Sequence, residues 1–171
     1  MVKFFLSSTF VLFCSTLIES SLLSNITFLP AIPDLSLLCI LFFSTYNGKL
    51  YGETTGFISG VFLDFLTMAP FGFNCLLRTV IGYLTGFFNK TLNVDGFFVP
   101  MLLGFLATLF KALLIFLVSV FYPNSIIAYN PFTLTFLVEL IFNTVLAPFV
   151  FMFLRLFKKT LVLYPEQVKN A

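Results

Sequence analysis

Residues 51–66, YGETTGFISGVFLDFL, set Gly52, Gly56, Gly60 and Asp64 four residues apart inside an otherwise mostly apolar run. Residues four apart lie one above another on an α-helix, so the glycines form a smooth strip that ends in a carboxylate. In a bilayer no hydrophobic force draws helices together. Small residues that let backbones approach, and polar groups that hydrogen-bond across, must supply the association. The stretch therefore reads as the packing face of a transmembrane helix.

The rest of the chain agrees with that reading. Of its 171 residues 60% are hydrophobic and 9% charged, with a mean hydropathy of +1.08, too little polar surface to cover a water-soluble core. An all-α integral membrane protein is expected. The net charge is only +2 and the cations are scattered or flank apolar segments, so no nucleic-acid surface is expected. There is no His, and Cys14, Cys39 and Cys75 lie far apart within apolar runs. That excludes the usual zinc clusters and Ser-His or Cys-His catalysis, and leaves the cysteines as small buried hydrophobes. With no phosphate-binding loop and no nucleophile beside a base, neither an enzyme nor a cofactor or metal is expected. Asn25-Ile26-Thr27 fits the glycosylation pattern, whose meaning depends on the cellular setting.

A helix crossing about 30 Å of hydrocarbon needs about 20 residues. Six segments meet that need to varying degrees, at about 3–24, 33–48, 51–67, 72–90, 96–121 and 131–157. The first resembles a signal peptide but lacks a small-x-small cleavage site before ESSLLSN, and is read as an uncleaved span. The second and third are short and separated only by YNGKLYG, which implies a tight helical hairpin or a partly re-entrant element. Breaks at FLPAIPD, MAPFG, NVDG and YPNSIIAYNP mark the other boundaries. A single compact bundle over residues 1–171 is expected. Lys3, Lys49, Lys90, Arg155, Lys158, Lys159 and Lys169 all fall on one side of this arrangement, which by the positive-inside rule puts both termini in the cytoplasm. Tyr122, Tyr129, Tyr46 and Tyr51 suit the headgroup level, and the 27 Phe suit lipid contact and packing.

Span four repeats the small-residue row with Arg78, Gly82 and Gly86. Asp64 lies about seven residues before a turn centred near Phe71 and Arg78 about seven after it, so the two charges are expected to be level and paired, or to share a polar network. An unpaired Arg or Asp at a helix centre costs about 2.5–3.5 kcal/mol on insertion scales. Glu19 in span one, Lys111 in span five and Glu139 with Asn143 in span six extend the set, and Glu139 with Lys111 is a second candidate pair. Asn143 and Ala147 continue the line from Glu139 and should face protein. The glycines are candidates for helix packing or for partner binding; the polar residues Asp64, Arg78, Lys111, Glu139 and Asn143 either lock the helices or line a cavity.

Residues 33–86 also resemble the bacterial rod shape-determining protein MreD family. The residues that carry the resemblance are Pro33 and Asp34 opening an apolar span, then Gly48, Gly52, Gly56, Gly60 and Asp64. Gly72 and Asn74 follow in a turn, then Ile81, Gly82, Tyr83, Leu84 and Gly86. The resemblance implies a fold similar to the six-helix substrate-binding subunits of energy-coupling-factor transporters. It also implies a non-enzymatic scaffold in the bacterial cytoplasmic (inner) membrane. Such a scaffold acts with the bitopic protein MreC and links MreB filaments to peptidoglycan synthesis by RodA and a class B penicillin-binding transpeptidase. In that reading the glycine strip and neighbouring faces receive a partner's helix and the basic ends meet anionic lipid or cytoplasmic partners. Two other readings stay open: a substrate-binding subunit of a vitamin or small-solute transporter, with Asp64, Arg78, Glu139 and Asn143 lining a cavity, and a proton-coupled channel or carrier.

Overall fold

The computed structural model describes residues 2–23, 31–67, 70–89, 91–92, 94, 96–121 and 133–163. The 25–27 glycosylation pattern, Lys90, Tyr122, Tyr129, Lys169 and the side chain of Lys3 lie outside the described residues, as do most of the inter-span turns. Seven α-helices occur among the described residues: α1 (Val2–Leu17), α2 (Leu35–Asn47), α3 (Lys49–Leu66), α4 (Phe73–Thr85), α5 (Phe98–Phe121), α6 (Leu134–Leu156) and α7 (Lys158–Leu161). A π-helical segment, Ile18–Leu23, prolongs α1, and a 3₁₀ turn, Gly86–Phe88, prolongs α4.

The six expected spans coincide with α1 to α6, but only three of these helices are long and apolar enough to cross a membrane by themselves: the one containing Phe4–Ser21, α5 and α6. The others fall short for separate reasons. At 13 residues each, α2 and α4 reach about 20 Å, against about 30 Å of hydrocarbon. The 18 residues of α3 carry Lys49, Glu53 and Asp64. Helices that face protein on most sides need not match the lipid thickness, and α2 is the extreme case.

Every residue of α2 from Ser36 to Tyr46 is buried. A helix that is apolar all round belongs in the middle of its protein, and α2 packs against α1, α3, α4, α5 and α6. Its Phe42 and Phe43 rings meet each other and those of Phe151, Phe4 and Tyr46 edge-on or tilted. Tyr46 is thus a core residue, which corrects the expectation of a headgroup anchor; Tyr51 packs its ring on Phe4 and Phe5. Outside this core the exposed side chains are apolar along most of the length of α5 and α6, among them Leu102, Leu106, Leu113, Phe116, Ile141 and Phe149. Apolar area of that extent exceeds what a water-exposed monomer carries and suits lipid.

The joint between α2 and α3 is a single residue, Gly48, whose φ of 91° places it where a side chain would be strained. The two helices thus follow one another with a turn as tight as the sequence implied. Around it gathers the basic end of the bundle. Lys49 lies over the Phe87 ring at 3.5 Å and Lys158 over Tyr46 at 4.9 Å. The Asn47 carboxamide donates to the Leu161 carbonyl (3.2 Å) and accepts from the Leu163 N–H (2.9 Å), and Arg155 donates to the Val94 carbonyl.

Two antiparallel helix pairs flank the core. In the first, Gly52 lies against Gly82, Gly56 against Arg78 and Gly60 against Cys75: a Cβ on any of the three α3 glycines would meet α4 backbone well inside 3 Å. Gly86 meets the backbone of Lys49 in the same way. The strip is thus filled by α4 and is not a landing surface for a partner's helix, as one of the two expectations had it. In the second pair Gly104 of α5 faces Asn143 and Ala147 of α6, where an added Cβ would come within 2.9 Å of both. Gly104 escaped the sequence reading, although Gly104, Thr108 and Ala112 repeat the four-residue spacing of small residues.

Candidate functional site

At the end of the bundle opposite the basic residues, α2 begins inside the protein rather than at its surface. The first N–H groups of a helix have no partners within it, and here they are met by carboxylates. Asp34, 2% exposed, is the N-cap of α2, and its Oδ1 accepts from the Leu37 N–H at 2.9 Å. The Asp34 N–H itself donates to Asn143 Oδ1 at 2.8 Å. Such a cap satisfies backbone, but it also buries a full negative charge, which is tolerable only if cations come to it.

Two do. Arg78 Nη2 lies 2.6 Å from Asp34 Oδ1 and Lys111 Nζ 2.7 Å from Asp34 Oδ2. Beyond them the chain continues both ways. Lys111 Nζ also reaches Glu139 Oε1 at 2.8 Å, the pair the sequence suggested, and Arg78 Nη2 lies 3.8 Å from Glu19 Oε1. The order Glu19, Arg78, Asp34, Lys111, Glu139 alternates in sign along its length, three carboxylates against two cations, for a formal charge of −1. Asp34 and Arg78 are the most deeply buried, with side chains 2% and 4% exposed, while those of Glu19, Glu139 and Lys111 are 13%, 17% and 23% exposed.

Hydroxyls and one amide complete it. Arg78 Nη1 donates to Ser59 Oγ at 2.7 Å and to Ser36 Oγ, and Ser36 Oγ donates to Glu19 Oε2 at 2.7 Å. Asn143 Nδ2 donates to Thr108 Oγ1 at 3.1 Å. Six helical segments contribute: the π extension of α1 (Glu19), α2 (Ser36), α3 (Ser59), α4 (Arg78), α5 (Lys111, Thr108) and α6 (Glu139, Asn143). Each charge has its opposite within 4 Å, so the network acts chemically as a set of cross-braces.

Asp64 does not join this set. Its carboxylate accepts from the backbone N–H groups of Gly72 (2.8 Å), Asn74 (3.0 Å) and Cys75 (3.3 Å), and from the Asn74 side-chain amide (2.9 Å). It caps the start of α4, where unpaired N–H groups and the positive end of the helix dipole attract an anion. The expected Asp64–Arg78 pair is therefore replaced by Asp34–Arg78, and the register explains why. With Gly52 opposite Gly82 and Gly56 opposite Arg78, the α3–α4 pair is centred near residue 67 rather than Phe71. Asp64 then lies eight residues, or about 12 Å along the helix, from the point opposite Arg78.

Of the site candidates, Arg78, Lys111, Glu139 and Asn143 come together; Asp64 stands apart; Gly52, Gly56, Gly60, Gly82 and Gly86 form the α3–α4 seam. Asp34, the hub, was visible in sequence only as part of the Pro33-Asp34 opening, and its signal was that of an N-cap before an apolar run. Among the described residues no three His, Cys, Asp or Glu side chains are grouped to hold a metal ion. Cys39 and Cys75 are buried and Cys14 half-buried, all as free thiols.

The architecture defines a class: an all-helical membrane protein whose shorter helices are tied to the longer ones by a buried chain of ion pairs. The chain belongs to the rod shape-determining protein MreD family, whose model matches residues 2–157. That membership makes it a rod shape-determining membrane protein. No curated protein and no solved structure matches it.

Proposed function

We propose that the protein is a non-enzymatic scaffold of the elongation machinery in the bacterial inner membrane. In this role it pairs with an MreC-like bitopic protein and couples MreB filaments to peptidoglycan synthesis by RodA and a class B transpeptidase. Family membership supports the shape-determining role. The observation that carries the scaffold reading is the fate of the ionisable side chains. Glu19, Asp34, Arg78, Lys111 and Glu139 pair with one another, in a brace that ties the helices of the bundle together. The same observation counts against the solute-transport reading, since Arg78 and Asn143 are buried among protein partners and Asp64 is occupied in capping α4.

In this reading α1 to α6 cross the membrane with both termini cytoplasmic. The gathering of Lys49, Arg155 and Lys158 at one end supports that orientation through the positive-inside rule. A partner's helix would use a lipid-facing surface, since the glycine strip is filled.

Depletion in a rod-shaped host tests the role. Rods that round up, and recover with the wild-type chain, are expected together with co-purification of the MreC-like protein. Unaltered shape accompanied by a new nutrient requirement would reject the scaffold in favour of transport.

A further inference from the structure

The buried chain of ion pairs is unequal in charge. Three carboxylates, Glu19, Asp34 and Glu139, meet two cations, Arg78 and Lys111. No neighbouring part of the sequence makes up the difference, because the segments that join these helices at that end, 20–33, 65–77 and 112–138, contain no charged residue. Asp64, the other carboxylate toward that end, adds negative charge and is held by the N–H groups at the start of α4. One unit of negative charge is therefore left over inside the bundle. A buried carboxylate with no cation in contact neutralises by taking up a proton, which is cheaper than carrying a desolvated charge.

The distances single out one of the three. Asp34 has a cation on each oxygen, at 2.6 and 2.7 Å, and Glu139 has Lys111 at 2.8 Å. Glu19 has only Arg78, at 3.8 Å, beyond hydrogen-bond reach, and that guanidinium already donates to Asp34, Ser36 and Ser59. The other charged or titratable groups that act on Glu19 are Asp34 at the head of α2, Lys111 on α5 and the Cys39 thiol on α2. We propose that Glu19 is a proton-binding site that fastens the end of α1 to the start of α2. Water at that end of the bundle supplies the proton, which sits on Oε1. Oε2 keeps the bonds from Ser36 Oγ at 2.7 Å and from the Ser36 N–H at 3.4 Å, and the whole chain of charges becomes neutral. Loss of the proton to water leaves a buried charge with no cation in contact. The segment placed to carry it outward is the π-helical turn Ile18–Leu23, on which Glu19 lies, a rare conformation that recurs at functional sites. The inference goes beyond the scaffold reading, and a failed cell-shape test would leave it standing.

The test combines SDS unfolding of the full chain in mixed micelles with infrared spectroscopy in an ester-free detergent. Glu19→Gln copies the shape and neutrality of the protonated carboxyl, whereas Glu139→Gln leaves the chain of charges with a positive excess. At neutral pH the first should unfold within about twofold of wild type and the second should raise the unfolding constant by at least about tenfold. A proton held by the folded chain and released on unfolding makes stability fall as pH rises. From about pH 5 to about pH 8 the wild-type unfolding constant should therefore climb, by at most about tenfold per pH unit, and Glu19→Gln should lack that climb. On the unaltered chain at neutral pH, the infrared spectrum should contain the carbonyl band of a protonated glutamic acid, identified by isotopic labelling of glutamate. The band should persist in Glu139→Gln and vanish in Glu19→Gln. A wild-type spectrum without it, a band lost in Glu139→Gln instead, or a Glu19→Gln chain that is as unstable as Glu139→Gln or does not fold would each overturn the proposal.

Discussion

Asp34→Ala is the sharpest perturbation of the brace. It strips Arg78 of a partner at 2.6 Å and Lys111 of one at 2.7 Å, and removes the cap on the Leu37 N–H. The two cations are not hurt equally. Lys111 keeps Glu139 at 2.8 Å, whereas Arg78 is left with hydroxyls and with Glu19 at 3.8 Å. Most of the cost therefore falls on Arg78, and breaking one buried pair costs about 3–5 kcal/mol. The lost cap adds about 1 kcal/mol, though neighbouring terms do not sum simply. Asp34→Asn separates these effects, because its carboxamide oxygen can still accept from Leu37 while the charge is gone. Equilibrium unfolding of the purified protein by increasing SDS in mixed micelles reads the difference directly. A double-mutant cycle then compares two pairings of Arg78→Met. Coupling to Asp34→Asn should exceed about 1 kcal/mol, while coupling to Asp64→Asn should stay within about 0.5 kcal/mol. An Asp34→Ala protein as stable as wild type, or a larger coupling of Arg78 to Asp64, would show that the charge chain does not brace the bundle as described.

Other expectations concern backbone and seams. Gly56→Leu places side-chain atoms on the Arg78 carbonyl and should destabilise by several kcal/mol, in the manner of severe overpacking, whereas Gly96→Ala, with nothing within 4 Å, should leave SDS unfolding unchanged. Gly72→Ala, at a φ of 93°, should cost about 1–2 kcal/mol despite open space around it, a purely conformational loss. Asn47→Ala removes both bonds to the segment at Leu161 and Leu163. At about 1 kcal/mol per bond, it should raise hydrogen exchange around α7 while leaving α3 and α4 protected. Asn143→Leu unpairs the Asp34 N–H and Thr108, and should lower stability by about 1–3 kcal/mol for the buried donor left unsatisfied.

Membrane class and six helical segments follow from the sequence alone, because composition and apolar run length are local quantities that no tertiary contact can alter. The close-packing role of Gly52, Gly56 and Gly60 was also legible, since residues four apart share a helix face wherever that helix sits. So was the Lys111–Glu139 pair, as the simplest way to retain two opposite charges in apolar surroundings. The choice of neighbour belongs to the folded chain. Arg78 is bound to Asp34 rather than Asp64 because the α3–α4 register is fixed by glycines meeting backbone, which moves Asp64 about 12 Å away along the helix. Asp34 becomes a hub because α2, apolar on every side, is taken into the centre of the bundle and carries its capping carboxylate to a depth where cations from α4 and α5 must meet it. Spacing along one helix states which residues share a face, and only the packing of six helices decides what that face meets.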